Sequence, residues 1–175
     1  AYDQIGLVGE AMNVMTTSIS VTARDPDSHA DKTIYYMADL QDRLALQQLK
    51  QGQDEDAMVM FETALEMLDP LKRSKKTVVS RGDLAMLEAR IYEHMGKMDE
   101  ASAHLRRAAK YADFKAEALS KMAVMDAEAG RCARAVPRLE RELLKSPPES
   151  LPDEPRPWLA LARCLVAQGR GEDAA

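Results

Sequence analysis

The sequence predicts an all-α protein, a solenoid of antiparallel helix pairs, and two observations lead to this prediction. Alanine, leucine and methionine dominate the 46% of hydrophobic residues, whereas aromatic residues make up only 5%, so good helix formers fill the chain. A pattern of one glycine flanked by alanines also recurs at Gly52, Gly96, Gly130 and Gly169, which lie 44, 34 and 39 residues apart. A period near 34 residues is typical of stacked helix–turn–helix units.

Each copy of the pattern predicts how one helix pair is built. The glycine is expected to end the first helix, because only glycine enters the left-handed conformation there without steric cost. Alanines seven residues before and five residues after it let the two helices approach closely, and larger apolar residues fill the space around each pair. The packing positions are Ala45, Ala57, Phe61, Ala89, Tyr92, Ala101, Leu105, Ala123, Ala135, Leu139, Trp158 and Ala162.

Residues 1–30 are predicted to form an N-terminal helical segment, the remains of a preceding repeat. Their apolar residues recur on one helical face, and Gly6 has an alanine and a large apolar residue at the same following offsets as the later glycines. Pro26, between two aspartates, predicts a turn before the first clear repeat.

The solenoid itself is predicted to span residues 31–175. Repeat one covers about 31–68, with Asp54 as the N-cap of its second helix. An insert over 69–82 follows, which either extends that helix or forms a loop.

Repeats two and three are predicted at 83–111 and 114–145. Pro137 falls inside the second helix of repeat three, so we expect this helix to start late, near Val136, or to kink. Five prolines between residues 146 and 157 predict a stiff connector, and a truncated fourth repeat covers 157–175. Since its second helix would only begin at Ala174, we expect the chain to be a fragment of a longer protein.

The fourth repeat carries a family resemblance. The stretch from Trp158 to Leu165 matches the tetratricopeptide pattern of Trp, two residues, Leu-Gly, two residues and Tyr, with alanine for the glycine and leucine for the tyrosine. Tyr92 occupies the tyrosine position in repeat two, and Pro147 the closing proline position in repeat three. Over residues 31–175 the chain therefore resembles a tetratricopeptide-repeat protein. The resemblance implies a right-handed superhelix whose concave groove, lined by the first helices, holds a protein or peptide partner.

A narrower resemblance covers roughly residues 52–165. The stretch 83–105 is similar to the middle of the large auxiliary subunit of the N-terminal acetyltransferase A complex, where a glycine turn precedes a Glu-Ala-x-x-His-Leu helix. Ser146-Pro147-Pro148 departs from the Arg-Asn-Pro of that family. The resemblance implies a cytoplasmic scaffold without chemistry of its own, which holds a catalytic acetyltransferase subunit and docks it at the ribosome.

The net negative charge argues against nucleic acid and anionic membranes as partners of the whole surface, but two local clusters of Lys and Arg could still bind a partner. The net charge of −5 gives no global attraction to nucleic acid or anionic membranes, and no apolar run approaches the ~18 residues of a membrane span. Local cations could contact phosphate, RNA or an acidic partner, or form an ordinary solvated surface. No aromatic residue interleaves with the first cluster to stack a base. The first cluster is Lys72, Arg73, Lys75, Lys76 and Arg81; the second is Arg131, Arg134, Arg138, Arg141 and Lys145.

No catalytic, cofactor or metal site is expected. His94 and His104 flank the Gly96 turn and could approach one another, but no third metal ligand is evident. Gly-rich phosphate loops and nucleophile elbows are not found in the sequence. Cys132 and Cys164 are interpreted as small thiols of a reducing compartment, since a disulfide framework or zinc site would need more cysteines at tighter spacing.

Three functions follow from these patterns. We expect a non-catalytic interaction scaffold, with the acetyltransferase auxiliary subunit as its specific version. The first alternative is an RNA- or ribosome-contacting module that acts through the basic clusters. The second alternative is a regulatory domain of a larger enzyme.

Overall fold

The computed structural model describes residues 30–144 and 155–174, and all the regular secondary structure within them is helical. This confirms the all-α prediction. Residues 1–29 of the predicted N-terminal helical segment, Lys145 and residues 146–154 of the predicted connector, with Pro147, lie outside the described residues. The last three residues of the predicted connector, 155–157, are helical and begin the last α-helix. The α-helices are α1 (Ala30–Lys50), α2 (Asp54–Arg73), α3 (Arg81–His94), α4 (Met98–Ala108), α5 (Ala112–Glu128), α6 (Cys132–Leu144) and α7 (Pro155–Ala167), followed by a 3₁₀-helix at Gly171–Ala174. None of these helices is both long and apolar enough to cross a membrane.

The chain divides into two compact units, Ala1–Lys97 and Met98–Ala175. The first unit contains α1 to α3, and the second contains α4 to α7 with the 3₁₀-helix. The division falls at the turn between α3 and α4, so the two helices of predicted repeat two belong to different units.

In the first unit, α1 packs against both α2 and α3, and α2 packs against α3. Ala45 and Ala57, the two alanines that flank Gly52, are fully buried, as close approach of α1 and α2 requires. Tyr92 is partly buried against the same core, and Ala89 is buried. The main core residues are Ala38, Ala45, Ala57, Phe61, Ala64, Leu68, Leu71, Leu84, Leu87 and Ile91.

In the second unit, α5 packs against α4, α6 and α7, and α6 also packs against α7. The predicted packing residues Ala101, Leu105, Ala123, Ala135 and Leu139 are buried. The core between α5, α6 and α7 contains Ala123, Val124, Ala135, Val136, Leu139, Leu143, Ala160, Leu161, Cys164 and Leu165.

The predicted packing residues Trp158 and Ala162 lie at the edge of the buried face of α7 rather than at its centre. The buried face of α7 consists of Ala160, Leu161, Cys164 and Leu165, and a helix repeats every 3.6 residues. Trp158 lies three residues before Leu161 and seven before Leu165, at the edge of this face, and is 36% exposed; Ala162 is partly buried.

All four repeat glycines adopt the left-handed conformation, with φ between 74° and 78°. The same two hydrogen bonds close each turn. The residue after the glycine donates its N–H to the carbonyl five positions back, and the glycine donates to the carbonyl three positions back. In the Gly96 turn these bonds are Lys97 N to Tyr92 O (2.8 Å) and Gly96 N to Glu93 O (3.0 Å). This Schellman motif confirms that each glycine ends a helix.

The first part of the insert after repeat one is helical, and the part that follows is a loop. α2 continues past Leu68 to Arg73 with Pro70 inside its last turn, and a loop over 74–80 follows. The next helix begins at Arg81 rather than at Asp83, because the Oγ of Ser80 caps it by accepting the N–H of Asp83 (2.9 Å).

One predicted helix cap is wrong, and so is the late start that was one of two alternatives for α6. Gln53, not Asp54, occupies the N-cap position of α2, and Asp54 is the first helical residue. α6 begins at Cys132 rather than near Val136, directly after the Gly130 turn. Pro137 lies inside α6 and lacks an N–H to donate to the preceding turn. Burial of Val136 and Leu139 on either side of it stabilises the helix despite that loss.

Candidate functional site

The first basic cluster is partly used to hold the fold. The Nζ of Lys72 lies 2.6 Å from the Asp69 carboxylate and 2.8 Å from that of buried Glu88. Partial burial acts to lower the pKa of Lys72, but the hydrogen bonds to Asp69 and Glu88 outweigh it and raise this pKa. The guanidinium of Arg81 donates to backbone carbonyls at the end of α2, including those of Lys72 (2.6 Å) and Ser74 (2.7 Å). Lys72 and Arg81 are therefore engaged within the protein.

Arg73, Lys75 and Lys76 are exposed, as is Arg81 despite its hydrogen bonds to α2. A carboxylate oxygen of Asp69 lies 3.6 Å from Arg73, and the hydrogen bond from Lys72 lowers the pKa of Asp69. Asp69 therefore stays negatively charged beside these cations and offsets part of their field.

The second basic cluster is also partly neutralised. Asp126 pairs with Arg131 (2.7 Å) and lies 3.8 Å from Arg138. Arg134 and Arg141 are exposed on α6. The structure thus leaves a narrow arginine stripe on this helix rather than a broad basic surface.

A buried charge cluster, which the sequence analysis missed, joins α1 and α3. The carboxylate of Asp42 is fully buried; Arg90 Nε donates to its Oδ2 (2.8 Å), and His94 Nδ1 lies 2.8 Å from its Oδ1. Asp39 also accepts a hydrogen bond from Arg90. Asp39 and Asp42 are three residues apart and Arg90 and His94 four apart, so each pair shares one helical face. That spacing was visible in the sequence, but it did not show which helix each face meets.

The histidines do not form a metal site within the described part of the chain. His94 belongs to the charge cluster of the first unit, and His104 is buried in the second. Among the residues that the structure describes, no group of three or more His, Cys, Asp or Glu side chains could hold a metal ion.

The interpretation of the cysteines as free thiols is wrong, because Cys132 and Cys164 form a disulfide. Cys132 is the first residue of α6 and Cys164 lies on the buried face of α7, and the packing of these helices brings their Cα atoms to 5.1 Å. Cys132 follows Gly130 by two residues and Cys164 precedes Gly169 by five, so the repeat pattern did not predict that they would meet.

A shallow groove of about 320 Å³ lies between α5 and α7. Arg156 forms a two-pronged ion pair with Glu128, with both hydrogen bonds at 2.8 Å, and these bonds lower the pKa of Glu128. Leu159 and Arg163 are exposed beside this pair. The α5–α7 groove is lined by Glu128, Pro155, Arg156, Leu159, Ala160 and Arg163.

The chemistry of the α5–α7 groove is that of a binding surface. Leu159 offers apolar contact, and the guanidinium of Arg163 can donate two parallel hydrogen bonds to a carboxylate. An extended or helical peptide with one apolar and one acidic side chain would satisfy both. No protein-family model matches this chain, and neither a curated protein nor a solved structure is significantly similar to it.

Proposed function

We propose that this chain is a non-catalytic scaffold of tetratricopeptide-like helix pairs that binds a protein partner. The observation that carries the proposal is the fourfold recurrence of one turn. Gly52, Gly96, Gly130 and Gly169 share the left-handed conformation and both Schellman hydrogen bonds. Buried alanines flank the first three of these turns at the same offsets. Repetition of one structural unit is the hallmark of solenoid proteins, which present extended binding surfaces.

Helix packing within each unit supports the proposal. α1 contacts α3 in the first unit, and α5 contacts α7 in the second, so the first helices of successive pairs touch. This is the contact expected when helix pairs stack side by side, because one pair alone cannot bury its apolar face.

The binding surface that we propose is the α5–α7 groove. Its ligand would be a peptide segment of a protein partner, with an apolar side chain against Leu159 and a carboxylate on Arg163. Charge-assisted hydrogen bonds fix orientation, and the apolar contact contributes affinity.

Selection of binding peptides from a phage-displayed library tests this function. Sequences that combine an acidic and an apolar residue should be enriched, and Leu159→Asp or Arg163→Glu should abolish their binding. Arg134→Glu, which makes the same charge change on exposed α6 surface, is the matched control and should bind normally. A library that yields no binders, or binders indifferent to Leu159 and Arg163, rejects the proposal.

The narrower proposal, an acetyltransferase auxiliary subunit in the cytoplasm, has one observation against it. The disulfide between Cys132 and Cys164 is typical of oxidising compartments, because cytosolic reductants keep thiols reduced. Co-expression with a small N-terminal acetyltransferase subunit tests this version, and failure of the two chains to co-purify rejects it. An RNA-contacting role is less favoured, since Lys72 and Arg81 are engaged internally.

A further inference from the structure

We propose that one copy of this chain docks the outer face of its α2 on the outer face of α7 of another copy. The inference rests on the proposed function, since it names a partner for the surface around Leu159 and Arg163. It follows from the composition of two exposed helix faces.

The α2 outer face is acidic with an apolar centre. Glu55, Val59, Glu62 and Glu66 follow each other at steps of four, three and four residues, so they lie along one side of the helix. All four are exposed, and Val59 is 63% exposed. Met58, beside Val59, is 37% exposed and widens the apolar part.

The α7 outer face is basic with apolar residues on both sides of the charge. Leu159, Arg163 and Val166 follow at steps of four and three residues. Leu159 is 55% exposed and Val166 61% exposed. Leu159 and Val166 therefore form an exposed apolar pair on one side of α7, with Arg163 between them.

The α2 outer face and the α7 outer face have opposite charges, whereas two copies of the same face would repel each other. Pairing α2 with α7 places Val59 against Leu159 or Val166 and a glutamate against Arg163, whereas α2 against α2 would bring glutamates together. α6 is a poorer site for the α2 outer face. Arg134 and Arg141 are exposed there, but none of its large apolar residues whose burial is described is exposed.

The contact uses two different surfaces of each copy, so it is heterologous. Such contacts extend into open chains of copies unless the rotation between neighbours closes a ring. We therefore expect the average mass to rise steadily with concentration rather than to stop at a dimer. Added salt should weaken the association, because it screens exposed charge pairs.

Sedimentation equilibrium on the whole chain tests this contact through charge reversal. Glu62→Arg and Arg163→Glu should each weaken the association about tenfold or more, because each places like charges opposite one another. The double variant should regain it. An equimolar mixture of the two single variants should associate again into chains in which the two variants alternate, because each α2 of one variant meets an α7 of opposite charge on the other. Arg134→Glu is the control and should associate like the wild type. All the changed residues are exposed, and circular dichroism checks that each variant is folded.

Three outcomes would overturn the inference. They are a wild-type chain that stays monomeric at high concentration and low salt, self-association that neither charge reversal changes, and reversals that weaken association without rescue in the double variant. A monomeric wild type that still binds selected peptides through Leu159 and Arg163 would leave the proposed function standing, with a different protein as partner. Self-association of the wild type without any peptide binding would leave the contact between copies standing and reject the proposed peptide binding.

Discussion

Asp42 shows how one residue can decide the stability of the first unit. Its carboxylate is fully buried, and Arg90 and His94 supply the contacts that replace water. Removing Asp42 takes one of the two carboxylates that pair with Arg90 and the carboxylate that faces His94, and both of these side chains are mostly removed from water. Asp42→Ala should therefore lower the free energy of unfolding by about 3–5 kcal/mol in urea denaturation.

Asp69 provides the control for Asp42. It also pairs with a cation, Lys72, but its side chain is exposed to solvent. Exposed ion pairs contribute little, so Asp69→Ala should cost no more than about 1 kcal/mol. Equal costs for the two substitutions would mean that the Asp42 cluster does not hold α1 and α3 together.

Ionisation of Tyr35 should lower the stability of the first unit at alkaline pH. Burial, followed by the charges of Asp83 and Asp39, raises the pKa of Tyr35 from its ordinary 10.0 to about 12. Because the folded-state pKa lies above the unfolded-state value, the associated stability is fully present below pH 10 and is lost as the pH rises toward 12. In ultraviolet titration of the folded protein, one tyrosine should ionise late, and Tyr35→Phe should remove that step. An unchanged titration curve would contradict this assignment.

Residue patterns along one helix and the close contact within a helix pair were predictable from the sequence, but the polar partners across helices were not. Gly96 and Ala101 were recognised because a tight turn and a close helix contact admit few residue types. The partners of Asp42 were missed because the helical period places a residue on a face without saying what that face meets. Arg81 looked like part of a binding cluster for the same reason, although it holds the end of α2.

At the element scale, the glycine turns should be stabilised by backbone conformation alone. A Cβ added at Gly96 would meet no atom within 4 Å, but φ is +74° there. Gly96→Ala should therefore cost about 1–2 kcal/mol of unfolding free energy, the strain of placing a side chain in the left-handed region. Gly171 also has nothing within 4 Å and does not have a positive φ, so Gly171→Ala is the control and should be neutral or slightly stabilising. Equal effects at the two positions would contradict the argument.

The first and last residues of the helices were predicted less well than the existence of the helices, and two prolines show why. Local rules end a helix near Pro70 or delay it near Pro137, yet α2 and α6 contain these residues. In both places a buried leucine, Leu71 or Leu139, follows the proline and gains more from burial than one backbone hydrogen bond contributes.

The disulfide between α6 and α7 should contribute measurably to stability. It closes a loop across 32 residues and so restricts the unfolded chain. Replacing Cys132 and Cys164 together by alanine should lower the free energy of unfolding by about 3–4 kcal/mol. The wild type unfolded under reducing conditions should show a similar loss. Stability that is indifferent to both treatments would show that the two thiols are not joined in solution.

At the scale of the whole molecule, the sequence predicted the helical architecture better than it predicted a binding surface. The repeat positions are occupied by residues that serve packing, so their pattern predicts helix pairs and leaves the partner open. Leu159 and Arg163 became candidates only when the structure placed them beside one groove.

A scaffold of stacked pairs should lose stability locally, because each pair contacts only its neighbours. Leu161 is buried in the second unit, and Leu161→Ala should remove about 2–5 kcal/mol there. Leu159→Ala, at an exposed position two residues earlier, is the control and should have little effect.

Native-state hydrogen exchange of Leu161→Ala is the most direct test of the repeat scaffold. The account predicts faster amide exchange in α5, α6 and α7, while α1 and α2 exchange as in the wild type. A uniform rise in exchange across both units would show one cooperative globular core and would contradict the account.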